Sequence, residues 1–315
     1  MRIWLTGGTG FIGSNIVRVA LGLGHEVITT VHSFQPTADL PYRTTKVDIT
    51  DPDAVKKSIA ETRPDAVVHC AILNDYGRLY LDRRAGWDAY VSSTHSIAAA
   101  ANAKGAPFVL VSTDWVFDGT QHLADEETPP NPVNLYGVLK LASEMVALEN
   151  GGAVARVSGV NGVHYARPDL PRSQDVGFGY FVASLVDSLR RGKPFTVWLA
   201  DDINMVATPS LASESAELIV RIVAESKTGV FHCCGRDAVG RLELAHLACD
   251  VFGLDRSLVV TGPPDYAGIT AGLIPYDTSL AAPRTSALLN REPSSLRDLL
   301  ARFRTEYDTY TGVAA

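Results

Sequence analysis

The stretch "NLYGVLK", residues 134 to 140, sets Tyr136 and Lys140 four positions apart in a segment of helical spacing. Residues at i and i+4 share a helix face, so the Lys140 ammonium can stand near the phenol and favour phenolate over the ordinary value of about 10. A tyrosine tuned in this way can donate a proton to a carbonyl oxygen and recover it later. One strand earlier "VLVSTDWVFDG" supplies Thr113, whose hydroxyl could bond the same oxygen, and Lys140 could also reach ribose hydroxyls. Alone, a Tyr-x-x-x-Lys pair is also what a buried ring and a solvated base look like. Its context decides between the two.

That context begins with "TGGTGFIG", where Gly7, Gly10 and Gly13 end the first strand and open the first helix. Glycines there allow a tight turn and close approach of backbone to a pyrophosphate, and the helix N-terminus supplies free N–H groups at its positive end. The second strand ends "ITTVHSF", with Thr30, Val31, His32 and Ser33 and no carboxylate. Nothing there repels a 2′-phosphate, and His32 and Ser33 could bond one, so NADP(H) is favoured and NAD(H) stays open. Asp48 and Ile49, after the third strand, could flank the adenine; Asp48 could equally cap the helix of "DITDPDAV".

The elements that must position these residues can be read from periodicity. Short apolar runs, "RIWLTG", "EVITTV", "DAVVHCA", "FVLVSTD", "AVARVSG" and "GVFHCCG", alternate with helical stretches such as "SNIVRVALGLG", "DAVKKSIAETR", "DAYVSSTHSIAAAANAKG" and "LYGVLKLASEMVALENG". Such alternation predicts an α/β fold, a doubly wound parallel sheet with helices on both faces. Residues 1–160 form the dinucleotide-binding Rossmann domain on this reading, completed by about 203–235. A smaller, discontinuous α/β substrate lobe takes 161–202 and 236–315, where Pro- and Gly-containing pieces interrupt the pattern.

Composition narrows the function. The chain has 315 residues, 46% hydrophobic and 20% charged, with a formal net charge of −7, so a broad basic surface for nucleic acid is not expected. Four cysteines without C-x-x-C spacing read as reduced thiols of a cytoplasmic protein. The opening "MRIWLTGG" leads straight into a strand, no apolar run approaches the ~18 residues of a membrane span, and neither a leader nor a membrane contact is expected. His69 with Cys70, and His232 with Cys233 and Cys234, are neighbours on strands and point to opposite faces, so no metal site is expected from them. Arg284 in "PRTSALL" is the best cation for a diphosphate, with Arg236 and Arg241 weaker candidates.

Taken together, "TGGTGFIG", "VHS" at 31–33, "STDWVFDG" at 112–119, "NPVNLYGVLKLASE" at 131–144, "ARVSG" at 155–159 and "PRTSALL" at 283–289 give the chain a family likeness. It resembles an extended short-chain dehydrogenase/reductase, and more narrowly the dTDP-4-dehydrorhamnose reductase family of nucleotide-sugar reductases. The resemblance implies that Thr113, Tyr136 and Lys140 are catalytic and that hydride passes from NADP(H) to a 4-keto group of a nucleotide-linked deoxysugar. It implies cofactor contacts at Gly7, Gly10, Phe11, Ile12, Gly13, His32, Ser33, Asp48, Ile49, Ala71, Tyr136 and Lys140, and substrate contacts at Asp114, Trp115 and Arg284. The partner would be a small molecule, and a homodimer is compatible with the class.

Departures accompany the likeness. Tyr90 stands where the family often has an asparagine of a water relay, Cys70 and Ala71 replace the common "N-A-A", and Trp115 replaces the glutamate of related 4,6-dehydratases. Dehydratase chemistry is disfavoured accordingly. A nucleotide-sugar epimerase of the same superfamily is an alternative. So is a non-catalytic NADP-binding subunit like the regulatory β subunit of methionine adenosyltransferase.

Overall fold

The structure is a computed structural model that describes residues 1–32, 40–73, 75–167, 173–266 and 272–312. Six strands of its seven-stranded sheet fall where the apolar runs predicted them: β1 (Arg2–Thr6), β2 (Glu26–Val31), β4 (Ala66–His69), β5 (Phe108–Thr113), β6 (Ala153–Val157) and an edge strand Gly229–His232. The remaining strand, β3 (Arg43–Lys46), is largely exposed and has no apolar run to announce it. All pair in parallel, in the order edge strand, β6, β5, β4, β1, β2, β3. The order reverses between β1 and β4, so a crevice opens beyond the carboxyl ends of those two strands.

Alternation within β1 shows how the sheet is sandwiched. Ile3 and Leu5 face a core shared with α1 (Phe11–Gly22) through Ile16, Val17 and Ala20, and with helix Ala212–Ala224 through Ile219 and Val223. Trp4 points the other way, into a core with Val55 and Ile59 of α2 (Pro52–Thr62) and Ile97 of helix Ser93–Asn102. Period-two burial of this kind needs helices on both faces. A further apolar cluster joins helices Phe181–Arg190, Arg241–Phe252 and Leu296–Thr311, with Phe181, Leu244 and Phe303 at its centre.

The helical run "DAYVSSTHSIAAAANAKG" is not uniform: Asp88–Ser92 is a π-helical turn that passes into the α-helix Ser93–Asn102. A π turn inserts a residue into the ladder and redirects the side chains around it. No helix among the described residues is long and apolar enough to cross a membrane.

Candidate active site

The crevice at the switch point is a real cavity of about 660 Å³, lined by Gly7, Gly10, Phe11, Ile12, Gly13, Ala71, Thr113, Asp114, Trp115, Tyr136 and Lys140. Most of the residues singled out by type and spacing therefore meet in one place. The glycine turn is built as its sequence requires. Gly7 has φ +74°, and a Cβ on Gly13 would come within 2.0 Å of the Gly7 carbonyl oxygen, so a side chain at either position would open the turn. α1 starts at Gly10 without a side-chain cap and without an acidic residue in its first turn, leaving its first-turn amides and dipole available to an anion.

The carboxyl ends of β1 and β4 are locked by a buried relay of hydrogen bonds. Thr6 Oγ1 accepts from the Cys70 and Ala71 amides at 3.1 and 3.0 Å, so its own proton goes to His69 Nδ1 at 2.7 Å. His69 Nε2 faces Ser93 Oγ at 3.4 Å. Burial lowers the imidazole to about 3, so it is neutral and serves as a structural tie. Its neighbour Cys70 faces the cleft, where burial pushes the thiol up to about 11.

Tyr136 and Lys140 lie on helix Leu135–Glu149, which Asn134 caps by accepting from the Gly137 amide at 2.8 Å. Glu144, four residues beyond Lys140, is buried and accepts from Arg156 of β6 at 2.7 Å and from Ser112 of β5 at 2.6 Å. That anchor fixes the rotation of the helix against the sheet. Lys140 Nζ donates to the Val111 carbonyl at 2.6 Å and lies 5.9 Å from the centre of the Tyr90 ring. Tyr136 has the Tyr90 and Trp115 rings edge-on to it, each at 6.0 Å. Tyr90, delivered by the π turn, donates its hydroxyl to the Leu73 carbonyl at 3.1 Å.

One sequence expectation is corrected here. The phenol is not pulled toward phenolate by Lys140: burial pushes it well above its ordinary value, partly offset by a hydrogen bond with Thr113. Burial also lowers Lys140, to about 8. Both shifts follow from desolvation of a charge in the cleft wall. Thr113 Oγ1 also donates to Asp114 Oδ1 at 3.1 Å and accepts from the Trp115 amide at 3.2 Å, while Ser158 Oγ donates to Asp114 Oδ2 at 2.8 Å. Burial raises the Asp114 carboxyl to about 6.

Other expected residues stand apart. His32 is exposed beyond β2, 3.9 Å from the Asp48 carboxylate, which itself accepts from the Thr50 amide and hydroxyl at 2.9 and 2.7 Å. The corner is therefore less free of negative charge than β2 alone implies. Ile49 packs toward the Trp4 core, and Ser33 lies outside the described residues. Arg284 does not line the cleft. It pairs with Glu127 at 3.1 Å and packs its guanidinium against Gly229, at the amino end of the edge strand and so at the opposite end of the sheet from the crevice. Residue type and context suggested it, but its helix Pro283–Leu289 is tied down by Glu126, which accepts from the Arg284 and Thr285 amides. Of the weaker candidates, Arg236 pairs with Asp237 outside the cleft, and Arg241 is fully buried.

Sequence reading missed the far wall: His164, Arg167, Asp175, Gly177, Phe178, Tyr180 and Asn204. The glycine- and aromatic-rich "DVGFGY" is the signal that could have exposed it. Tyr180 stacks on Phe11 of the glycine turn with ring centres 4.5 Å apart.

The fold and the relatives of this chain place it in one class: an NAD(P)-dependent oxidoreductase of the extended short-chain dehydrogenase/reductase type. The family described as the RmlD substrate binding domain matches residues 1–306, and the chain belongs to it. It is 31% identical over 320 residues to the probable low-salt glycan biosynthesis reductase Agl14 of Haloferax volcanii, covering 99% of this chain and 100% of that one. It is 28% identical to the methionine adenosyltransferase 2 subunit beta of Bos taurus, over 81% of this chain and 73% of the other. Among solved structures it resembles dTDP-4-dehydrorhamnose reductase from Bacillus anthracis str. Ames in complex with NADP, with TM-score 0.77, 20% identity, and 97% and 98% of the two chains covered.

Proposed function

We propose that this chain reduces a keto group on a nucleotide-linked sugar, with NADP(H) favoured as its cofactor and Tyr136 as the proton donor. The observation that carries the reading is the convergence of an uncapped glycine-turn helix with Thr113, Tyr136 and Lys140 in one cleft. When bound, the nicotinamide would supply the hydride. The amides at the start of α1 would hold its pyrophosphate, with Ala71 lining the same cleft. Thr113 and Tyr136 hold the carbonyl oxygen, and Tyr136 gives it a proton as it becomes a hydroxyl.

The raised phenol keeps Tyr136 protonated, so the proton that the carbonyl oxygen would take up is in place. The Lys140 ammonium is already fixed by the Val111 carbonyl and the Tyr90 ring, and it presents its remaining protons to ribose hydroxyls. Arg167, in the cleft, takes the diphosphate role expected of Arg284. The likeness to the methionine adenosyltransferase β subunit supports a second, non-catalytic reading, under which the same cleft binds NADP(H) without turnover.

NADPH oxidation by the parent separates the two, and Tyr136→Phe then tests the proton donor. The variant loses only a hydroxyl, so it should fold and bind NADPH as the parent does, while NADPH oxidation with a nucleotide-linked 4-keto sugar falls about 10²–10⁴-fold. Parent-like turnover in that variant, with chemistry limiting, would remove Tyr136 from the mechanism.

A further inference from the structure

A carboxylate of the cleft has no part in the chemistry described. Asp175 lines the same cavity as Thr113 and Tyr136, on the loop that leads into helix Phe181–Arg190, and its side chain is open to the cleft. Its oxygens lie close against the loop glycines: a Cβ on Gly177 would come within 3.3 Å of Oδ1, and one on Gly179 within 2.9 Å of Oδ2. The loop is shaped around this carboxylate.

Behind the loop, fully buried Arg241 holds the backbone in place. Its Nε donates to the Asn204 carbonyl at 2.7 Å, and its Nη2 donates to the Asp175 carbonyl at 3.0 Å and to the Gly177 carbonyl. Its guanidinium also lies 5.0 Å from the Phe178 ring centre. A rigid planar fork bonded to three carbonyls fixes a loop better than a lysine could. Asn204 joins the clamp by donating its amide to the Val176 carbonyl at 2.9 Å.

The loop meets the catalytic set through one ring. Gly177 packs against the Trp115 indole, where an added Cβ would be 3.4 Å from Cζ2, and the Tyr136 ring meets the same indole edge-on at 6.0 Å. The carboxylate therefore lies on the wall of the same cavity as Trp115 and Tyr136. The surrounding protein raises the Asp175 carboxyl to about 6, partly countered by the Arg241 charge, so it is ionised at neutral pH. An ionised carboxylate only accepts hydrogen bonds, which suits hydroxyl and ammonium groups and repels another carboxylate.

We propose that Asp175 is a specificity determinant of the sugar subsite, a fixed acceptor that admits hydroxyl- or amino-bearing sugars and rejects sugar acids. This rests on the nucleotide-sugar reading above.

The test titrates NADPH-loaded protein with four probes, UDP-glucose, UDP-glucuronate, dTDP-glucose and dTDP-glucuronate, and compares the parent with Asp175→Asn and Asp175→Ser. The parent should bind the glucose form at least about 10-fold more tightly than the matching uronate, as expected when a like charge is brought against a fixed carboxylate. Both variants should bring that ratio toward one, mainly by gaining uronate affinity, with NADPH affinity unchanged. A parent ratio near one, or a ratio unchanged in a variant that still binds NADPH, overturns the proposal and leaves the reductase reading intact. If neither variant melts cooperatively, the parent ratio decides. If no nucleotide sugar binds while NADPH does, the nucleotide-sugar reading falls and this proposal falls with it.

Discussion

On the proposed reading Lys140 would carry two duties on one ammonium, and its environment limits the pH range in which it could perform them. A lysine is charged below its pKa, and burial lowers this one to about 8, so the ammonium is present at neutral pH and lost as pH rises through that value. Tyr136, pushed the other way, stays protonated across the same window. kcat/KM for keto-sugar reduction should therefore fall on an alkaline limb near pH 8, set by the lysine and not by the tyrosine. Lys140→Met should abolish that limb and weaken NADPH binding roughly 10- to 100-fold, the value of about 1.5–3 kcal/mol for hydrogen bonds to a charged group. A limb that persists unchanged in Lys140→Met would assign it to another group.

Helix Leu135–Glu149 delivers the pair, and its placement depends on a buried ion pair that motif reading did not weigh. Glu144 and Arg156 are 2% and 3% exposed at their side chains, so neither has water to replace a lost partner. Glu144→Ala leaves Arg156 buried and charged without its carboxylate, and should destabilise the fold by about 3–5 kcal/mol. A denaturant midpoint that falls with the slope unchanged is the expected signature. Glu144→Leu combined with Arg156→Met should recover much of that loss, since apolar replacement of both partners is often near neutral. If the double variant were no more stable than the single one, the penalty would lie elsewhere than in the stranded charge. The π turn at Asp88–Ser92 works at the same scale, because it aims Tyr90 at both Tyr136 and Lys140.

Across the whole molecule, the sheet order places the cofactor corner and the chemical site at the same edge, so cofactor binding should stabilise the entire fold. NADPH at about 100 times its Kd should add roughly 2.7 kcal/mol, read as a rise in Tm. NADPH is expected to bind at least as tightly as NADH, because β2 ends in Val31 and His32 without an acid. Asp48 beside His32 narrows the margin. Fluorescence titration of both dinucleotides measures it, and a clear preference for NADH would mean that Asp48 supplies the missing acid.

The sequence alone determined whatever is local or periodic. The alternation of Ile3, Trp4 and Leu5, the glycine turn, and the four-residue step from Tyr136 to Lys140 each carry their geometry in their spacing, since strand and helix repeats turn sequence distance into direction. From those came the parallel sheet and the near wall of the cleft. Only the tertiary structure decided the rest. Arg284 and Arg167 are equivalent as residue types, and nothing in their spacing tells which one reaches the crevice. The far wall, with Asp175 and Tyr180, belongs to a loop without a repeat, held by Arg241 more than sixty positions away in sequence. The pKa shifts were equally hidden, because proximity to Lys140 argued for a lowered phenol, while desolvation, which depends on what packs around both groups, raised it.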